Sequence, residues 1–194
     1  MNILIIDAGI NFAHSNGQLN HYLANFMKEN LENIGHSVRM TELETGYDLY
    51  EEVEKILWAD AVIYQQPAWW MGAPWQLKKY MDEVFTQGAG KLYANDGRTR
   101  SDASRKYGSG GLLQGKRYMI SATWNAPVEA FEDKSQFFEG KGMDAVYFPF
   151  HKANQFLGME PLPSFVCNDV MKDIQFQEDT RRLQEHLLKV FPAK

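Results

Sequence analysis

The sequence predicts a doubly wound α/β fold, in which helices pack on both faces of a parallel sheet of five strands. Short apolar runs of strand length alternate with segments whose apolar residues recur every three or four positions. The chain has 194 residues, which suits one buried core, and its 44% apolar and 23% charged residues are ordinary for a globular protein. We therefore expect a single domain over residues 1–194.

The first half of the chain alternates strand and helix twice. Residues 3–6 form a short apolar run that ends before a glycine-containing turn, as expected of a buried strand followed by a loop. Helical spacing then extends from Leu19 to Ile34 and stops at Gly35, a residue typical of helix ends. A second strand over 38–43, a helix over 51–58 and a third strand over 61–65 follow.

The second half repeats this alternation. Pro74 has a position typical of the first turn of a helix, and apolar residues between 77 and 85 give that helix a buried face. A fourth strand over 118–123, a helix over 144–157 that is broken or begun near Pro149, a fifth strand centred on 165–167 and a final helix ending near Phe191 complete the chain. Helices between successive strands favour the strand order 2-1-3-4-5.

Residues 87–115 interrupt this pattern with seven glycines and few apolar anchors. A loop of this length inside one domain usually covers a site or contacts a partner, so we predict a functional loop. The alternative is a mobile surface excursion.

Composition excludes several classes of function. The net charge is -5, from 20 basic and 25 acidic residues without a basic block, which argues against nucleic-acid binding. The single cysteine, Cys167, cannot form an internal disulfide and is expected to be an inert buried thiol, and no apolar run reaches the ~18 residues of a membrane span. The five histidines and the cysteine lack the spacing of a metal site. We expect a cytoplasmic protein without a metal.

Ligands of such sheets bind beyond the carboxyl ends of the strands, so the loops after strands one, three and four should form one site. Residues 14–18 follow strand one at the start of the first helix, where free N–H groups favour a phosphate. Alternatively, Ser15 or Asn16 is only a helix N-cap. The spacing matches neither the dinucleotide-binding glycine motif nor the phosphate loop of nucleoside triphosphatases.

The other two loops suggest a planar ligand. Trp69, Trp70 and Trp75 crowd the loop after strand three, where their rings suit the edge and face of a flat ring system. After strand four, the backbone N–H groups of residues 123–126 could donate to a carbonyl or to the negative edge of a reduced flavin, although a turn before a helix explains these residues almost as well.

Five segments together carry a resemblance to a known family. Residues 14–20, 69–75, 106–111, 123–127 and 148–160 resemble the FAD-dependent NAD(P)H:quinone oxidoreductases, and the likeness spans nearly the whole chain. That family has a flavodoxin-like fold and works as homodimers with the active site at the subunit interface. The resemblance implies FAD as cofactor, NADPH as hydride donor and a quinone as substrate.

The resemblance also implies a role for each segment. The pyrophosphate would lie on Ser15, Asn16, Gly17, Gln18, Leu19 and Asn20, with His14 beside it. The isoalloxazine would border Ala68, Trp69, Trp70 and Met71. The polar edge of the isoalloxazine would form hydrogen bonds with Thr123, Trp124, Asn125 and Ala126. Tyr107 would also touch the flavin, and our hypothesis is that its long loop serves the neighbouring subunit. Ile10 and Asn11 stand where related members carry lysines.

We expect a ping-pong reaction in which NADPH and the quinone use one pocket in turn. No histidine occurs between His36 and His151, where wider quinone reductases carry one, and backbone donors can stabilise a reduced flavin without a side-chain acid. We therefore predict no catalytic side chain. The alternatives are a flavodoxin-type electron carrier, or a related reductase of azo dyes, nitro compounds or flavin that uses FMN.

Overall fold

The computed structural model describes residues 1–193 and contains one parallel sheet. Its strands are β1 Asn2–Asp7, β2 Ser37–Glu42, β3 Ala61–Pro67, β4 Arg117–Thr123, β5 Glu160–Pro161 and β6 Phe165–Cys167. The order is β2-β1-β3-β4, and the last position holds both β5 and β6, each parallel to β4. The predicted doubly wound fold and its strand order are confirmed, with the fifth strand divided into two short pieces.

Seven α-helices and one short 3₁₀ helix occur in residues 1–193. The 3₁₀ helix, Leu43–Thr45, directly follows β2, and the α-helices are α1 Gln18–Asn33, α2 Leu49–Trp58, α3 Trp75–Gln87, α4 Glu129–Glu132, α5 Met143–Val146, α6 Phe148–Phe156 and α7 Phe176–Val190. The predicted break near Pro149 is correct, because α5 and α6 are separate helices on either side of Tyr147. Pro74 is the residue before α3 and not part of its first turn, a shift of one position. The short helix α4 was not predicted.

Alternate residues of the central strands pack on opposite faces of the sheet, which explains why those strands are apolar throughout. Ile3 and Ile5 of β1 face α1 and α7, whereas Leu4 and Ile6 face the side covered by α2, α3 and α6. All four side chains are fully buried. Because the strand order reverses between β1 and β3, the carboxyl end of β1 opens into the crevice between α1 and the loop after β3.

The segment between α3 and β4 is a long loop, as predicted, interrupted only by isolated bridges in the part described. It is partly packed, since Leu92 and Leu113 are buried and Leu113 donates to the carbonyl of Leu157. Lys116, at its end, donates to the carbonyls of Leu57 and Ala59 beside the start of β3. The loop therefore lies at the amino ends of the strands.

Candidate functional site

The loop after β1 folds back as a small hairpin before α1 begins. Its two-residue strands, Asn11–Phe12 and Ser15–Asn16, pair antiparallel, so residues 14–16 precede the helix rather than start it. The residue before α1 is Gly17, with φ +69°, and no side chain among residues 1–193 caps the helix. A Cβ on Gly17 would lie 2.6 Å from the nitrogen of Ile10, so only glycine fits there.

The N-cap alternative for Ser15 and Asn16 is therefore wrong. The Ser15 hydroxyl accepts the N–H of Gly17 at 3.3 Å between the hairpin and the helix, and the side chains of Ser15 and Asn16 are exposed. The first turn of α1 also lacks an acidic residue. The uncapped N–H groups and the helix dipole leave a place for an anion beside exposed His14.

The tryptophan loop is a tight reverse turn closed by two hydrogen bonds between Trp69 and Gly72. Its two central residues have left-handed backbone conformations, with φ +43° for Trp70 and +66° for Met71. Such conformations strain residues that carry a Cβ and often mark functional sites. Trp70 is 96% exposed, whereas Trp69 packs on Phe12 of the hairpin with ring centroids 4.8 Å apart.

Two cavities meet at this turn. One, of about 320 Å³, lies between the hairpin and the turn and is lined by Phe12, Ala13, His14, Ser15, Ala68, Trp69, Trp70 and Met171. The other, of about 350 Å³, lies between the turn and the end of β4 and is lined by Ala68, Trp70, Met71, Trp124, Asn125, Ala126, Ala130, Phe137 and Phe138. The three predicted loops therefore border two neighbouring cavities that share Ala68 and Trp70.

The end of β4 presents backbone donors to the second cavity. The N–H groups of Asn125 and Ala126 have no acceptor among the described residues, while the carbonyl of Ala126 accepts Asn168 and Asp169. The indole N–H of Trp124 is buried and lies beside the hydroxyl of Tyr147. Burial raises the pKa of the neighbouring Tyr147 hydroxyl, so this group stays protonated.

Two of the predicted residues support the site from below. The Asn20 side chain is 4% exposed and donates to Thr123 Oγ1 at 3.2 Å, while its Oδ1 accepts Gln65 at 2.8 Å. Ser121 in turn donates to Gln65 at 2.7 Å. This network joins α1, β3 and β4, so the side chains of Asn20 and Thr123 hold the three loops in place and do not face the cavities.

Tyr107 lies apart from the other predicted residues. Its ring contacts Phe156 in the last turn of α6, at 5.6 Å, and the Arg98 guanidinium, at 5.5 Å. The loop follows α3, which returns the chain to the amino ends of the strands over a length of about 20 Å. Within one chain, Tyr107 therefore does not join the cavities, and at 69% exposure it points outward.

The sequence reading missed residues whose roles depend on tertiary contacts. Phe12, Phe137, Phe138 and Met171 line the cavities, although nothing in their local spacing indicates a site. His21, in the first turn of α1, contacts Asp7 at the end of β1. The one available signal in the sequence was an aromatic residue, Phe12, within the loop after β1.

Among residues 1–193, no group of three histidine, cysteine, aspartate or glutamate side chains could hold a metal ion. In the same range, no helix has the length and apolar character needed to cross a membrane.

Comparisons with known proteins place the chain in a family. A family model described as "Flavodoxin-like fold" matches residues 1–189. The chain is 54% identical over 191 residues to the NADPH:quinone oxidoreductase MdaB of Haemophilus influenzae, covering 98% of this chain and 100% of that protein. A ribosyldihydronicotinamide dehydrogenase-like protein of Penicillium crustosum is 32% identical over 145 residues, covering 74% of this chain and 51% of that protein.

Solved structures agree on the fold. A putative quinone reductase from Klebsiella pneumoniae superposes with a TM-score of 0.76 at 24% identity, covering 100% of this chain and 86% of that one. At this identity the likeness concerns the fold alone. From the matched family and the close full-length relative, the chain belongs to the flavodoxin-like fold family that includes the NADPH:quinone oxidoreductase of Haemophilus influenzae.

Proposed function

We propose that the chain is a cytoplasmic, homodimeric flavoenzyme that binds FAD and reduces quinones with hydride from NADPH. The observation that carries this proposal is the meeting of an uncapped helix N-terminus with two aromatic-lined cavities at the carboxyl end of the sheet. The name of the 54% identical Haemophilus influenzae protein supports the choice of NADPH and quinone. A lone cysteine, buried in β6, suits a reducing compartment.

The residues present fit a flavin. The unpaired N–H groups of Asn125 and Ala126 suit the carbonyl and nitrogen edge of an isoalloxazine. A Cβ on Gly72 would have no atom within 4 Å, so the turn leaves open space beside the rings. The uncapped start of α1 suits a diphosphate, and the two adjacent cavities suit FAD better than the shorter FMN.

A bound flavin would supply a ring that accepts and then returns a hydride, which side chains cannot do. The protein's part is to bind and orient. Trp70 and Met71 would form an apolar wall against which a nicotinamide and then a quinone would lie in turn, and Phe137 and Phe138 would exclude water from that space. The N–H groups of Asn125 and Ala126 would stabilise negative charge without any side-chain acid.

The first experiment is to release and identify the flavin of the purified protein and to follow NADPH oxidation with and without a simple benzoquinone. Bound FAD with quinone-dependent oxidation is the expected result. Bound FMN with faster turnover of an azo or nitro compound would instead favour a related reductase. Flavin without acceptor-dependent turnover would favour an electron carrier, and the lack of any flavin would overturn the proposal.

The homodimer is proposed because Tyr107 cannot reach the cavities of its own chain. Its exposed ring and the adjacent Arg98 project outward, as expected if they complete a site on a second copy. If so, Trp70→Ala and Tyr107→Ala each damage both sites of a homodimer.

Mixing these two variants tests this arrangement. Co-expressed mixed dimers should recover one intact site, composed of Trp70 from one chain and Tyr107 from the other. We expect about half of the wild-type flavin content per mixed dimer, against low content in either variant alone. Mixed dimers no better than the separate variants would contradict a shared site, as would a monomer with full FAD affinity.

A further inference from the structure

A histidine in the first turn of α1 lies directly beneath the hairpin loop. The Nδ1 of His21 is 2.6 Å from Oδ2 of Asp7, and this carboxylate is fully buried at the end of β1. The other oxygen of Asp7 accepts the N–H of Gly9 at 2.8 Å. The Nδ1 side of the imidazole is thus linked through Asp7 to Gly9, where the loop begins.

The second ring nitrogen reaches the opposite side of the loop. The Nε2 of His21 is 3.4 Å from Oε2 of Glu44, and Oε1 of Glu44 accepts the N–H of Asn11 at 3.0 Å. A Cβ added to Gly9 or Gly17 would lie 3.0 Å from the imidazole. The ring therefore packs against both ends of the loop and takes part in a chain of contacts that crosses it.

We propose that His21 is a positioning residue for the cofactor: as an imidazolium hydrogen-bonded to Asp7 and ion-paired with Glu44, it holds residues 9–17 in the conformation that receives a diphosphate. This inference rests on the proposed function, since it assigns the diphosphate of FAD to this loop. His21 acts through the loop and does not touch the reacting atoms.

The charges around the loop explain why protonation matters. Residues 9–17 include no lysine or arginine. Below them lie the carboxylates of Asp7 from β1 and Glu44 from the short helix after β2, and Glu42 at the end of β2 acts on Asp7 as well. A diphosphate bound above these acids would be repelled, and the imidazolium is the cation between them.

The pKa of His21 moves in the direction this role requires. Burial by itself lowers the pKa of His21, but the hydrogen bond and charge of Asp7, and then those of Glu44, outweigh it and raise this pKa above its ordinary value. Below that pKa the ring donates to Asp7 and forms an ion pair with Glu44. As the pH rises through it, Nε2 loses its proton and turns a lone pair toward Glu44, which loosens the acceptor of Asn11. FAD affinity should therefore be high at low pH and fall as pH rises.

The test is the dissociation constant of FAD for apoprotein, from quenching of flavin fluorescence between about pH 6 and about pH 9, the range in which histidines titrate. It compares wild type with His21→Gln, which keeps a donor but never carries a charge, and with Glu44→Gln. His186→Gln is the matched control, because that histidine contacts the carbonyl of Pro163 away from the loop. Riboflavin, which lacks phosphate, is the second probe, and the ring signals of His21 in NMR spectra report its protonation directly.

For wild type, we expect FAD affinity to fall about tenfold with a midpoint equal to the NMR midpoint of His21, and riboflavin affinity to stay constant. His21→Gln should bind FAD about tenfold more weakly at low pH and show no pH dependence, while His186→Gln behaves as wild type. Glu44→Gln, at a partly exposed position, should flatten the profile even if His21→Gln fails to fold.

The outcomes separate the two levels of the proposal. Wild-type protein that binds FAD with the same affinity at every pH, or a His21→Gln protein with unchanged affinity, would overturn the positioning role and leave the flavoenzyme assignment intact. Wild-type protein that binds no flavin at any pH would overturn both.

Discussion

Two loops stood out in the sequence, and the structure gives them opposite characters. The tryptophan turn after β3 exposes Trp70 beside two cavities and holds two residues in left-handed conformations. The glycine-rich loop between α3 and β4 instead packs four of its glycines, Gly88, Gly97, Gly110 and Gly111, tightly against neighbouring atoms. A Cβ on Gly111 would overlap the backbone of Leu157 and Gly158, and one on Gly110 would overlap Asn95.

The difference shows that unusual composition has two distinct causes. At the turn, large apolar side chains are exposed over empty space, and this costs stability unless something covers them. In the long loop, residues without side chains allow backbone segments to approach closely, which makes a rigid support for Tyr107. The first arrangement indicates a binding surface, and the second indicates a scaffold.

The largest effect should come from filling the close contact in the long loop. Gly111→Ala forces its Cβ into the backbone of Leu157 and should lower the free energy of unfolding by roughly 3 kcal/mol, the upper end for an overpacked site. Gly72→Ala, where the Cβ meets nothing, is the matched variant and should change it by less than about 1 kcal/mol. Urea unfolding of the apoproteins measures both. Equal losses of unfolding free energy in the two variants would contradict the distinction between a supporting long loop and a binding surface at the tryptophan turn.

An intermediate effect, on binding rather than stability, is expected at the turn. Trp70→Gly removes a ring that makes little packing contact and relieves the left-handed backbone, so the free energy of unfolding should stay within about 1 kcal/mol. FAD affinity should fall by about tenfold or more, because an aromatic wall is lost. Thermal unfolding and a flavin titration provide the two values. A clear loss of stability would mean that Trp70 supports the fold.

The smallest effect is expected at Cys167 in β6. Burial, with a contribution from the charge of Asp179, raises the pKa of Cys167 to about 12. At neutral pH the thiolate is therefore scarce and the thiol inaccessible, so a maleimide should not label native protein but should label it fully in denaturant. Labelling under native conditions would show that the carboxyl end of the sheet opens locally, and the contrast between an open surface and a firm core would then fail.

Apolar periodicity was enough to predict the sheet and its order. Helices cover both faces of β1 and β3, so residues that face either side, such as Ile5 and Ile6, are buried and the strand signal is continuous and strong. The three site loops were also predictable, because parallel strands bring their carboxyl ends together. Their aromatic and glycine content then distinguished them from ordinary turns.

What the sequence could not provide depends on distance in space. The hairpin at residues 11–16 has no alternation of apolar and polar residues long enough to indicate strands, so the sequence predicts only the approach to a helix there. The contact of His21 with Asp7 depends on how far α1 is shifted along its axis relative to β1, and the spacing of residues along the chain does not reveal this shift. The location of Tyr107 follows from the direction of α3, which composition does not reveal.

The divided last strand has a consequence for the protein at high concentration. An exposed sheet edge offers unpaired N–H and C=O groups to other molecules and can start fibrous aggregation. Here the edge consists of a two-residue and a three-residue piece separated by a segment with Pro163, and Pro161 lies within the first. Neither piece is long enough to template a neighbouring strand, and proline has no N–H to offer. This border of the sheet thus resists strand-by-strand growth, and the protein can be abundant without forming fibres along it.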